Sequence, residues 1–364
     1  MMERNQWPQA FGQSLWLDNI TRELLDSGVL QQYINAWSIS GLTSNPTIFD
    51  AAIAGSTAYD QAIREGTLHG QSDEALFVEL ALADLRRAAD MLRPVFDATD
   101  GVDGWVSMEV SPTLADNAPA TIRAAIDVHR QAARPNLYVK IPGTATGLAA
   151  IEESVFEGVP VNVTLLFSRN QYQAAAEAYL RGAERRLAAG QTAPPGSAAS
   201  VFISRWDAAA NPLVPATLHN QLGLAVAGDI YRAYLDMLAS PRWQSLALKG
   251  LKPQRLLWAS TGTKDPRASD TLYVESLVAP NTINTLPEKT LQAFARHGQV
   301  RQVMAEDAQQ ARATITRFHA AGIDTDALAE QLQRSGVQSF LNSWQHLMEC
   351  VASKRLSAGK DGNR

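Results

Sequence analysis

The stretch Leu137-Tyr138-Val139-Lys140-Ile141-Pro142-Gly143 reads as one strand with a stop at its end. Leu137, Val139 and Ile141 alternate with Tyr138 and Lys140 in the period-two pattern of a β-strand, and Pro142 with Gly143 ends the run. The lysine is awkward in such a place, because an unpaired ammonium is costly to bury and low-dielectric surroundings favour the neutral amine. A neutral amine is a nucleophile toward a carbonyl, so the position invites a Schiff base. A lysine solvated at a sheet edge is the plainer alternative, and the company Lys140 keeps decides between them.

Outward from this stretch, strands and helices alternate. Residues 14–19 (SLWLDN), 38–44 (SISGLTS) and 104–110 (GWVSMEV) are the expected first three strands, and the lysine stretch is the fourth. Residues 160–166 (PVNVTLL), 199–204 (ASVFIS) and 255–260 (RLLWAS) follow, with 272–278 as the candidate eighth. Helical patterning fills the intervals. Pro46 stands at a tolerated early helix position after Asn45, and Ser168 is placed to cap an alanine-rich helix reaching residue 189. Eight alternations predict an α/β fold, a (β/α)8 TIM barrel with additional helices. A doubly wound open sheet would advertise a glycine-rich first turn, and neither GxGxxG nor GxxxxGK(S/T) occurs. With no repeat and no linker, residues 1–364 are expected to form a single barrel domain. In it, 300–356 would be a C-terminal helical extension and 357–364 a flexible tail.

Composition narrows the function. The chain has 364 residues, 46% of them apolar and 19% charged, which suits a soluble globular protein. A net charge of −5 without a basic block argues against nucleic acid as the main partner. Cys350 is the only cysteine, so no internal disulfide can form and a reducing compartment is expected. Residues 1–10 lack the apolar core of a signal peptide, and no apolar run is long enough to span a bilayer. The expectation is a cytoplasmic protein that binds neither membrane nor nucleic acid. The six histidines are scattered without ligand spacing, so no metal site is expected. Cys350 reads as a packing residue, and Trp206, Trp243 and Trp258 as core or pocket wall.

In a parallel barrel, alternate residues of each strand face the helices or the interior. The helix-facing parity is expected to hold Leu15 and Leu17, Val139 and Ile141, Val161 and Val163, Val201 and Ile203, and Leu257 and Ala259. The opposite parity carries Asp18, Glu109, Lys140, Asn162, Thr164, Ser204 and Ser260, and Thr43 and Asn45 continue it past the second strand. Most lie late in their strands, on the face where barrel enzymes assemble their sites. A lysine with carboxylates, amides and hydroxyls suits carbonyl chemistry through an imine. A polar plug that satisfies itself is the alternative for Ser204 or Thr164 taken singly.

At these strand ends the sequence resembles the transaldolase family. The resemblance rests on GLTSNPT (41–47), LYVKIP (137–142), NVTLLFS (162–168) and ASTGTK (259–264), with EVSP (109–112) pointing to the longer bacterial branch. It covers residues 15–287. It implies a barrel without a cofactor that moves a dihydroxyacetone unit between sugar phosphates in the pentose phosphate pathway, as a monomer or homodimer. By motif position Lys140 would be the Schiff-base lysine and Asp18 the acid/base at the C4 hydroxyl. Glu109 and Thr164 would hold the water of carbinolamine chemistry, Asn45 and Asn162 would orient the three-carbon unit, and Thr43 and Ser204 are further candidates for substrate binding. Ser260 and Lys264, with Arg205, are the candidates for the phosphate end. Solvated surface charge is the alternative for the two cations. Shorter relatives carry an arginine several residues after the serine of the sixth strand, whereas Arg205 follows Ser204 directly.

Two other readings share the scaffold. A fructose 6-phosphate aldolase would place a glutamine and a tyrosine where water is managed, and Glu109 with Trp206 favours transfer over that lyase. A non-catalytic sugar-phosphate binding barrel would have no need of Asp18, Glu109 and Lys140 together. The scattered histidines speak against a metal-dependent aldolase.

Overall fold

The computed structural model describes residues 7–361, with side chains through residue 357. Residues 1–6 of the expected signal-free start and 362–364 of the expected tail lie outside the described residues. The strands are β1 (Ser14–Asp18), β2 (Ile39–Thr43), β3 (Trp105–Glu109), β4 (Leu137–Pro142), β5 (Val161–Leu166), β6 (Ser197–Phe202), β7 (Gln254–Ala259) and β8 (Ile283–Leu286). All neighbours are parallel, and β8 pairs with β1 to close a barrel in sequence order. Helices cover the outside, as the (β/α)8 expectation requires.

The eighth strand is not where the sequence pattern put it. Leu272–Ser276 is a short helix, and β8 follows it at Ile283–Leu286. The buried residues Tyr273, Val274, Leu277 and Val278 recur at helical spacing, whereas the apolar run alone fits either period. A second correction concerns β7. Ser200 pairs in register with Leu257 and Phe202 with Ala259, and all four line the interior cavity. Leu257 and Ala259 therefore face inward rather than toward the helices. Leu256, Leu257 and Trp258 are all apolar and buried, so the alternation that reveals parity elsewhere is missing here. Ser260 still reaches the cavity because its φ of 54° turns the chain beyond the strand.

The N-terminal end of the barrel is closed by side chains. Trp105 stacks on Tyr138 at 3.9 Å between ring centroids, and Tyr138 faces Trp16 at 6.3 Å. Gly41 makes room for Trp16, since a Cβ there would lie 2.3 Å from the indole. Below them Trp16 Nε1 donates to Asp103 at 2.7 Å, and Arg255 donates to Ser14 Oγ at 2.8 Å. Packed aromatic rings and these hydrogen bonds fill this end, although Gln254 Oε1 and the Asn284 amide are buried without partners, and the open mouth lies opposite.

The last helix, Thr325–Asp361, crosses that opposite mouth, and its backbone takes in 357–361 of the expected tail. Leu332, Phe340, Trp344, Leu347 and Val351 are buried along it. Trp344 meets Phe77 edge-on at 5.2 Å, and Ser343 shares a 2.7 Å hydrogen bond with Thr47. Gln333 Nε2 donates to the carbonyls of Gly143 and Leu165 at the ends of β4 and β5. Leu165 has a φ of 59°, where the β5–β6 register shifts, so the helix pins a bent strand end. Among the described residues no helix is long and apolar enough to cross a membrane.

Candidate active site

A cavity of about 550 Å³ opens at the C-terminal ends of the strands. Asp18, Thr43, Asn45, Lys140, Thr164, Arg205, Ser260 and Lys264 line it, so most of the expected residues converge. Lys140 and Glu109 are register neighbours on β4 and β3. The Lys140 side chain is only 6% exposed, and its Nζ lies 2.6 Å from Glu109 Oε1. The same ammonium donates to the Ser44 carbonyl at 2.9 Å. A lysine buried with one carboxylate and one carbonyl is paired rather than solvated, which removes the sheet-edge alternative.

Burial acts on both carboxylates. Burial pushes the Glu109 carboxyl up, the Lys140 charge opposes this, and the Asp18 charge adds to the rise. Burial also pushes Asp18 up, against the Thr43 hydrogen bond and the charges of Lys140 and Lys264. Asp18 Oδ1 accepts from Thr43 Oγ1 at 2.7 Å. Asn45 caps the helix Pro46–Ala54, its Oδ1 accepting from the Ile48 amide at 3.0 Å. The cap fixes the side chain, and its amide NH₂ has no partner among the described residues and can meet a ligand. Thr164 Oγ1 is buried without a partner. It borders a side chamber of about 20 Å³ shared with Glu109, Lys140 and Phe340, room for one water.

Asn162 and Ser204 do not line the cavity. Asn162 is fully buried beneath it, donating to Ser107 Oγ at 3.3 Å and accepting from Ser200 Oγ at 2.7 Å. Ser204 opens the helix Ser204–Ala210 and shares a 3.0 Å hydrogen bond with Ser260. The β6 serine on the cavity wall is Ser200, five residues before Arg205.

Arg205 has no ion pair or hydrogen bond among the described residues, and its guanidinium lies 5.1 Å from the Phe202 ring. Burial lowers its pKa. Asp207 does not neutralise it, because that carboxylate accepts from the Leu222 and Gly223 amides and from the Tyr273 hydroxyl. Lys264 is likewise unpaired among the described residues. Lys264 is exposed, so solvent can serve its charge, whereas the half-buried guanidinium of Arg205 lines the cavity without a counter-ion and suits a phosphate-bearing ligand.

Trp206 takes the core rather than the pocket wall, one of the two places expected for it. It is 1% exposed, donates to the Phe167 carbonyl at 3.2 Å and points away from the cavity, so it cannot decide between transfer and cleavage. The aromatic side chains on the wall are Phe202 and Phe340. Phe202 shares the parity of Ser200 and could have been read from β6. Phe340 lies on the last helix and carried no local signal. Trp243 and Trp258 are core residues. Among the described residues no group of three or more His, Cys, Asp or Glu is placed to hold a metal.

A family model described as transaldolase/fructose-6-phosphate aldolase matches residues 15–351. The transaldolase of Frankia alni is 42% identical over 362 residues, covering 97% of this chain and 98% of its own. That of Acidothermus cellulolyticus is 43% identical over 363 residues, 98% of each chain. Transaldolase 2 of Nostoc punctiforme is 40% identical over 365 residues, 95% of this chain and 96% of its own. Matched across nearly its whole length by family and relatives alike, the chain belongs to the transaldolase/fructose-6-phosphate aldolase family.

Proposed function

We propose that this protein is a transaldolase of the pentose phosphate pathway. It converts sedoheptulose 7-phosphate and glyceraldehyde 3-phosphate to erythrose 4-phosphate and fructose 6-phosphate, and back. The observation that carries the reading is the Lys140–Glu109 pair at 2.6 Å, set at the edge of a cavity whose wall holds unpaired Arg205 and Lys264.

The reaction needs a deprotonated amine, and Glu109 is the near group to receive its proton. The Lys140 amine adds to the ketose C2 carbonyl, and the carbinolamine loses water to give a protonated imine. The chamber beside Glu109 and Thr164 suits that water. Asp18 then takes the C4 hydroxyl proton as the C3–C4 bond breaks, and the bonding electrons pass into the imine as an enamine. The enamine carbon attacks the acceptor aldehyde, Asp18 returns its proton to the new alkoxide, and hydrolysis frees Lys140. Asn45 suits the hydroxyls of the three-carbon unit, and Asn162 would act through Ser200. Arg205, Lys264 and Ser260 suit the phosphate, with Ser204 behind Ser260.

A lyase on this scaffold must protonate the enamine instead of holding it. Among the described residues no tyrosine lines either chamber, and Phe202 and Phe340 have no hydroxyl to donate, which supports transfer over cleavage. Borohydride reduction in the presence of fructose 6-phosphate, followed by peptide mass spectrometry, tests the reading. One three-carbon adduct is expected on Lys140, and none in Lys140→Ala. An adduct on another lysine overturns the assignment. A cytoplasmic location and a monomeric or homodimeric state go with this reading, and fractionation and light scattering test them.

A further inference from the structure

We infer that Thr285 is a positioning residue for the carboxylate of Asp18, as the terminal donor of a hydroxyl relay from Thr285 through Thr43 to Asp18. The inference rests on the proposed role of Asp18 at the C4 hydroxyl. Thr43 Oγ1 lies 2.7 Å from Asp18 Oδ1 and 2.6 Å from Thr285 Oγ1. A hydroxyl owns one proton. When Asp18 is ionised it can only accept, so the Thr43 proton is spent on it and the second contact must be donated by Thr285. The direction of the chain is thus fixed by counting protons. Both threonines are almost fully buried, at 3% and 2% exposure, on the wall of the cavity.

The strands supply the geometry. Asp18 and Thr43 are register partners on β1 and β2, while Thr285 on β8 pairs with Trp16, one inward step below Asp18. Both neighbours of β1 therefore contribute to the relay. It occupies Oδ1 alone, and Oδ2 has no hydrogen-bond partner among the described residues, which leaves it for the substrate.

The relay acts within a field of opposed influences. Lys140 from β4 and Lys264 from the loop after β7 favour the ionised carboxylate, while burial and the Glu109 charge from β3 oppose it. Among the described residues Thr43 is the one hydrogen-bond donor to Asp18, so the strength of its donation matters. Thr285 strengthens it, because successive hydrogen bonds polarise one another by about 10–30%. The relay thereby favours the form of Asp18 that accepts the C4 proton at Oδ2 during cleavage. In the reverse direction the same proton passes to the aldehyde oxygen.

The test is the pH dependence of single-turnover cleavage of fructose 6-phosphate by the full chain. Thr285→Val should move the acid limb upward by roughly 0.1–0.6 pH unit, the cooperative part of a hydrogen bond to a charged group. Thr43→Val, which removes the whole bond, should move it by about 1–2 units. Thr285→Ser should restore the original midpoint. If Thr285→Val does not fold, Thr285→Ala carries the same expectation. A uniform loss at every pH with the midpoint unmoved, or failure of Thr285→Ser to restore it, overturns the relay. Asp18→Asn separates this from the underlying reading. Cleavage that survives in Asp18→Asn refutes the role of Asp18, whereas its loss beside an unmoved Thr285→Val midpoint refutes the relay alone.

Discussion

Replacing Arg205 by methionine isolates the charge of a residue that pulls in two directions. Methionine keeps an unbranched stem to lie against Phe202, where the guanidinium stands 5.1 Å from the ring, and removes only the cation. Arg205 has no counter-ion among the described residues, and burial already disfavours its charged form. Bound phosphate would supply the missing partner. A hydrogen bond to a charged group contributes about 1.5–3 kcal/mol, so losing one should cost roughly 10- to 150-fold in kcat/KM for glyceraldehyde 3-phosphate. Non-phosphorylated glyceraldehyde, which never makes the contact, should keep its kcat/KM within about threefold. The free protein should meanwhile melt at a higher temperature, since an uncompensated, partly desolvated charge has been removed. Inorganic phosphate should raise the Tm of the unaltered protein more than that of the variant. Equal losses for both acceptors would refute the placement of Arg205 at the phosphate. A lower Tm in Arg205→Met would refute the argument from the unpaired charge.

Phe202→Tyr places a hydroxyl on the cavity wall where Trp206→Tyr would not, and it should raise release of free dihydroxyacetone from fructose 6-phosphate relative to transfer; an unchanged ratio would remove Phe202 from the control of enamine fate. Because the folded-state pKa of Asp18 is raised, ionising it opposes folding, and its contribution to stability falls as pH rises from the ordinary carboxylate range through the folded value. Asp18→Asn should therefore melt above the unaltered protein at pH 8, with the difference shrinking toward pH 4 in thermal scans. We further propose that residues 1–364 act as one unit. Ending the chain before Thr325 strips away five large buried side chains (Leu332, Phe340, Trp344, Leu347 and Val351), each contributing about 1.5–3 kcal/mol, and should leave a protein that aggregates or melts without cooperativity in circular dichroism.

The sequence revealed the barrel wherever a strand is apolar on one face and polar on the other. Asp18, Glu109, Lys140 and Thr164 stood out because charged or hydroxyl groups interrupt β-branched and leucine runs at a fixed parity. That signal vanished in β7, whose residues are apolar on both faces, and misled at 272–278, where a short apolar run fits helix and strand alike. Ser204 reads as a site residue because it closes the expected sixth strand at the inward parity, while Ser200 on the same parity went unread. Only three-dimensional register shows that the strand has already turned into a helix there. Phe340 and Thr285 depend on pairing across long stretches of sequence, and no local pattern encodes such contacts.

The seam between β1 and β8 joins Ser14 to Ile283, residues 269 positions apart. A ribosome adding about 5–20 residues per second needs roughly 13–54 s to travel between them. For that interval the nascent protein is an unclosed ribbon, with β1 offering an unpaired edge to any passing strand. Thr43 and Asp18 lie on one side of the seam and Thr285 on the other, so their contact forms only when the last strand docks. The Thr43–Thr285 contact is thereby withheld from the growing chain until the ring is shut.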